Sequence, residues 1–190
     1  VRPLLADTAA PTASRGPLSP EAEAVFWGSP EDPPAKELAA IKEEFRDRHF
    51  PTCDERNLEL FEPHVRDIGG AYVGVGSDQS YLIIGWMRPE VAWLTDYDAW
   101  ISDLHRVYRA FFLTAADADA FLALWKDRDA GMKAIDEALA GDPRTAHARK
   151  AYASARVIVG RRLDWVKRNW GRKGIRSFLT DAETYTFVRT

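Results

Sequence analysis

The chain has 190 residues, enough to bury a real core in one domain and with no statistical need for a second. Lysine and arginine number 26 against 29 for aspartate and glutamate, which argues against a general nucleic-acid-coating or polybasic membrane role and requires any basic partner site to be local. The single Cys53 excludes an internal disulfide framework and a multi-thiolate zinc or iron–sulfur centre, and fits a reducing compartment.

Residues 1–18, VRPLLADTAAPTASRGPL, mix proline, alanine and hydroxyl residues with little periodicity and read as an arm or surface strap. The chain's lone cysteine favours a cytoplasmic location, while the start on Val1 rather than Met keeps a processing point, with a signal peptide removed upstream, as the alternative. Ser19 and Pro20 are spaced as an N-cap and first helical residue. PPAKELAAIKEEFRDRHF then puts Leu38, Ile41 and Phe45 on one face of an amphipathic helix. Residues 1–53 are therefore expected to form an N-terminal arm and helical wrap, and residues 54–190 the main domain. Pro51, Pro63 and the Gly69-Gly70 pair leave room for only a short helix before a turn.

From Ala71 the pattern alternates. AYVGV is short and β-prone, SDQSYLIIGWM is helix-length, and EVAWLTD after Pro89 is again a short buried strand. Next, YDAWISDLHRVYRAFF places Trp100, Leu104, Val107 and Phe111 at helical spacings. The order strand, helix, strand, helix is the grammar of a right-handed parallel unit, so the expected class is α/β with a Rossmann-like start and a large helical segment. Downstream, Thr114 with Asp117 and Thr180 with Glu183 have capping-box character, AGMKAIDEALAGDP ends in a Gly-Asp-Pro stop, and one long helix is expected from about Arg144 to Trp170. No apolar run approaches the roughly 20 residues that span a bilayer.

The stretch GGAYVGVGSDQ carries the main functional signal. A phosphate- or cofactor-binding turn needs a strand to aim the chain, glycines where a Cβ would block the ligand, and a helix whose free N–H groups face it. Gly74 and Gly76 stand at the first two positions of G-x-G-x-x-G, and Gln79 replaces the third glycine. Asp96 stands 20 residues beyond Gly76, where a strand-end acid accepts hydrogen bonds from ribose hydroxyls. The same glycines also suit plain turns and a bulge, and Asp96 also suits a helix cap; spacing alone divides evenly between the two.

Residues 69–112, GGAYVGVGSDQSYLIIGWMRPEVAWLTDYDAWISDLHRVYRAFF, together with RSFLTDAETYTFVR, resemble an uncharacterised bacterial family. Its members carry a glycine-rich strand–turn motif, an RP before a strand ending in Asp, and a helix with LH and Y. The resemblance covers about residues 54–190 and implies a fold similar to S-adenosylmethionine-dependent methyltransferases. It places Gly74, Gly76 and Gln79 at a cofactor turn, Asp96 as the ribose-facing acid, S-adenosylmethionine as the cofactor, and His105 with Tyr108 as a polar pair on the next helix. A methyltransferase-like sheet needs more strands than residues 97–190 supply. The chain therefore reads as the front of a longer protein, or as one whose sheet a partner chain completes.

Other constellations weigh less. His105 in DLHRVYR suits a general base by its intrinsic pKa, but a single structural hydrogen bond between helix and loop is the favoured reading. His49, His64 and His147 lack partners at ligand spacing, and no metal is expected. GRRLDWVKRNWGRKGIRS interleaves cations with Trp165 and Trp170, as a nucleic-acid surface would; a core stripe of Leu163, Val166 and Trp170 with Arg161, Arg162, Lys167 and Arg168 solvated accounts for it better. Two functional classes follow: a methyltransferase-like protein binding S-adenosylmethionine or a related nucleoside, NAD included, or a scaffold that keeps the fold without cofactor and uses its aromatic helices for protein contacts.

Overall fold

The alternation expected after residue 71 is what the chain builds, as a computed structural model describing residues 19–28, 48–55 and 57–190 shows. These residues fall into two units, one within Thr12–Arg48 and one running His49–Thr190. The first contributes helix α1 (Pro20–Gly28), which starts at the expected proline, with the Glu23 N–H donating to the Ser19 carbonyl at 2.8 Å. The arm over residues 1–18 and the amphipathic helix of Leu38, Ile41 and Phe45 lie outside the described residues.

The second unit opens with a 3-10 turn (Leu58–Phe61) and the one-turn helix α2 (Glu62–Val65). Strands β1 (Ala71–Val75) and β2 (Val91–Thr95) pair in parallel, Ala71 opposite Val91 through Val75 opposite Thr95, with α3 (Asp78–Met87) as the crossover. Pro89 forbids continuation of that helix, and Arg88 turns away in the left-handed region at φ 52°. Such a conformation is strained for a residue with a Cβ. The Arg88 guanidinium is anchored by Asp67 at 3.4 Å and Glu183 at 2.7 Å. The loop before β1 also satisfies the open end of the helix: Asp67 N–H reaches the Trp86 carbonyl at 2.8 Å, and Gly69 N–H that of Met87 at 2.9 Å.

After the second strand every described element is helical: α4 (Ala99–Thr114), α5 (Ala118–Lys126), α6 (Arg128–Ala138), α7 (Thr145–Lys173) and α8 (Ala182–Arg189). The protein is thus mixed α/β, mostly helical, with a small parallel sheet. Leu104, Val107 and Phe111 form the buried stripe of α4, and Leu163, Val166 and Trp170 that of α7, at the spacing the sequence predicts. Between them, Tyr108, Phe112, Phe121, Trp125 and Tyr152 make an aromatic core in tilted, stacked and edge-on contacts. Helices α3 and α4 cover the sheet face of Tyr72, Gly74 and Leu94. Val73 and Val75, on the other face, are 67 % and 61 % exposed. No helix among the described residues is long and apolar enough to cross a membrane.

Two expected caps shift by a few residues. Helix α5 is capped by Asp117 itself, whose carboxylate accepts the Ala120 N–H at 2.8 Å, while the Thr114 hydroxyl bonds back to the Ala110 carbonyl. Likewise Asp181 caps α8 through the Thr184 N–H at 3.3 Å, and the Thr180 hydroxyl serves the Ile175 carbonyl instead. A carboxylate makes the stronger charge-assisted bond to helix N–H groups, which leaves the nearby threonines to other partners.

Candidate functional site

In a parallel unit the loops after the strands share one edge, and ligands gather there. Three of the four residues expected at the cofactor turn meet at that edge: Gly76, Gln79 and Asp96 line a pocket of about 220 Å³. Gly76 has φ +84°, a turn that glycine adopts without strain. Its N–H donates to Asp96 Oδ2 at 3.1 Å, and the other carboxylate oxygen accepts the Asp98 N–H at 2.9 Å. The acid that closes β2 therefore ties down the turn that closes β1. Asp98, not Asp96, caps the following helix, through the Trp100 N–H at 2.9 Å. The Gln79 amide folds back over Gly76 to donate to the Val75 carbonyl at 2.8 Å, leaving its Oε1 buried without a partner.

Gly74 stands apart. It is buried inside β1, where an added Cβ would lie 2.5 Å from the Tyr72 ring and 2.7 Å from Ser80 Oγ. Its missing side chain makes room for a tyrosine of its own strand, which approaches the Ser80 hydroxyl at 3.4 Å.

A strap closes the edge from the N-terminal side. Ser77 Oγ donates to the Pro51 carbonyl at 2.6 Å, and the Cys53 N–H donates to Asp78 Oδ1 at 2.6 Å. His49 stacks on Trp100, ring centroids 4.5 Å apart, and bonds Asp98 Oδ2 at 2.7 Å. Residues 49–53, read from sequence as part of a wrap, are thus built into the sheet edge. Burial holds the Cys53 thiol above its ordinary pKa, against a reactive thiolate.

His105 and Tyr108 do not pair. The Tyr81 hydroxyl lies 2.8 Å from His105 Nδ1. Tyr108, one turn further along α4, points into the core, where its ring stacks on Tyr81 at 4.5 Å and its hydroxyl is buried without a partner. Burial pushes the His105 pKa down, partly offset by the Gly76 carbonyl and the Asp96 charge, and burial pushes both tyrosines up. His105 therefore sits as a neutral imidazole joining α4 to α3 beside the edge pocket.

Sequence reading missed the pair beneath the strap. Asp78, in the first turn of α3, is fully buried and receives Arg162 Nε from α7 at 3.1 Å. Burial raises the Asp78 pKa, opposed by the Cys53 N–H and by Arg162. Arg162 is thus not the solvated cation expected, and Lys167 meets Asp119 at 2.5 Å. An acidic residue directly after a glycine turn was the only local sign of this pair.

The chemistry of the edge pocket is one-sided. Its acids are Asp54, Glu55, Asp96 and Asp98, and no lysine or arginine lines it. Each Asp96 oxygen keeps an unused lone pair, so the site offers acceptors to a donor-bearing ligand. Among the described residues, no cluster of three or more His, Cys, Asp or Glu could hold a metal ion. A family model described as a domain of unknown function (DUF7790) matches residues 50–190, and the chain belongs to that family. No curated protein matches it.

Proposed function

We propose that this member of the DUF7790 family binds a neutral or cationic nucleoside of the S-adenosylmethionine type at the carboxyl edge of its sheet, and that β1–α3–β2 is a Rossmann-like half-site. The observation that carries the reading is the acid-lined, cation-free pocket in which Asp96 at the end of β2 meets Gly76 at the end of β1. A vicinal diol donates to the spare lone pairs of Asp96. A dinucleotide brings a pyrophosphate, which needs free N–H groups or cations. Here the Gly76 N–H is already taken, and four carboxylates repel it. The chemistry therefore favours an adenosyl sulfonium or thioether over NAD.

The pocket's 220 Å³ is below the roughly 300 Å³ at which sites for whole drug-sized ligands begin. It fits the sugar, with the base lying across the rim on Tyr97, an aromatic ring 57 % exposed. Bound S-adenosylmethionine supplies an activated methyl group, and transfer rests on holding an acceptor in line with it. No residue is assigned as a base; His105, neutral and tied to Tyr81, holds the adjoining helices in place.

Calorimetric titration with S-adenosylmethionine, S-adenosylhomocysteine, adenosine and NAD tests this. Saturable binding of an adenosyl ligand, weaker for NAD and reduced in both Asp96→Asn and Tyr97→Ala, is expected. NAD binding as tightly as the adenosyl ligands, or no heat from any of them with a folded protein, overturns the reading. A second reading, a scaffold without cofactor, is favoured by one observation: the exposed valines of the outer sheet face.

A further inference from the structure

A second, larger cavity of about 550 Å³ lies between α3, β2, α4 and the end of α8, all within the His49–Thr190 unit. Its body is apolar, walled by Tyr81, Leu94, Phe112, Leu113 and Val188. The charged side chains that line it are those of three arginines, Arg106, Arg109 and Arg189, beside the last residue, Thr190, and no aspartate or glutamate side chain lines it. These cations are not equivalent. Arg106 is neutralised by Asp103 at 3.8 Å and Asp142 at 3.5 Å. Arg109 and Arg189 have no side-chain hydrogen bond or ion pair among the described residues.

Two guanidinium groups without an ion-pair partner among the described residues line one mostly apolar cavity, and an anion bound there gains a charge-assisted partner from them. An inorganic ion would use the charge and leave the walls wet. From the cavity's size, its apolar walls and this uncompensated positive pair, we infer that it binds an organic acid, an apolar aliphatic or aromatic body ending in a carboxylate. The volume lies within the range of small-molecule sites. The inference does not depend on the nucleoside reading, since it uses a different cavity with charge of the opposite sign.

Calorimetry with sodium dodecanoate below its micelle concentration and with 2-naphthoate, set against the uncharged dodecanol and 2-naphthol, separates the terms. One or both acids are expected to bind saturably at one site, with the matching alcohol at least roughly tenfold weaker. The double variant Arg109→Gln/Arg189→Gln removes only exposed or partly exposed cations, so its melting curve is expected to match the parent. Its affinity for the acid is expected to fall by roughly tenfold to a hundredfold. Dodecanoate alone binding assigns an aliphatic body, and 2-naphthoate alone an aromatic one. Absence of binding by both acids, equal binding of acid and alcohol, or an unchanged affinity in the folded double variant overturns the proposal.

Discussion

Replacing Asp78 by alanine tests the part of the structure on which the sheet edge rests. The carboxylate is fully buried, accepts the strap's Cys53 N–H at 2.6 Å and holds Arg162 Nε at 3.1 Å. Removing one partner of a buried ion pair costs about 3–5 kcal/mol, because the other charge is left without compensation. Arg162 keeps 18 % of its side chain exposed and lies over the Trp165 ring at 5.2 Å, so water reaches it in part and the lower end, about 3 kcal/mol, is expected. A domain of ordinary stability, about 5–15 kcal/mol, survives that loss. Urea denaturation followed by tryptophan fluorescence measures it. Pairing Asp78→Ala with Arg162→Met in a double-mutant cycle is expected to show a coupling of about 1–3 kcal/mol, the double variant being more stable than the sum of the singles implies. Loss below about 1 kcal/mol for Asp78→Ala, or strict additivity, would refute the argument that the buried carboxylate holds the strap to α7.

The ionisation of Asp78 adds a pH signature. Its folded pKa lies above the ordinary 3.8, so between those two values the native state binds more protons than the unfolded chain, and stability falls as pH rises through that window; Asp78→Asn is expected to flatten the fall in the denaturation free energy. His105 runs the other way. Its folded pKa lies below 6.5, so stability is intact above pH 6.5 and is lost as pH falls below it, at no more than about 1.4 kcal/mol per pH unit; His105→Gln is expected to remove that slope between pH 6.5 and 5, and parallel curves for the two proteins would sink the assignment. Two helical glycines should respond to alanine with opposite signs in thermal melts. A Cβ at Gly131 collides with the Tyr152 hydroxyl and sits 2.6 Å from the Leu124 carbonyl, costing about 1–3 kcal/mol, whereas one at Gly160 meets Trp125 Cβ at 3.4 Å and gains about 0.5–1 kcal/mol of helix propensity.

Local signals were legible in the sequence where the chain punctuates itself. Gly69-Gly70, Gly76 and Pro89 bracket two five-residue strands and the helix between them, and helical spacing marks the buried stripes of α4 and α7. The caps were misplaced because neighbouring hydroxyl and carboxylate residues can both serve, and the direction of chain entry, which decides between Thr114 and Asp117, is a tertiary property. The same limit applies to His105. Tyr81, its partner, is 24 residues away on another helix, while Tyr108, close in sequence and on the same helix, turns into the aromatic core. Arg162 and Asp78 are separated by 84 residues, and no periodicity links a cation on one helix to an acid starting another.

The two cavities sort charge in opposite directions. The carboxyl edge presents four acids and spare acceptors; the larger cavity presents arginines above an apolar floor. His105 stands at their junction, lining the larger cavity while the Gly76 carbonyl and the Asp96 charge of the edge act on its ring. An anion in the arginine cavity favours a proton on that imidazole, and so does Asp96; a cationic nucleoside at the edge opposes it. If both sites fill, His105 is therefore one group through which each ligand feels the other, and the coupling must be reciprocal. Raising the concentration of either ligand should shift the affinity of the other by one common factor, and replacing His105 with glutamine should shrink that factor.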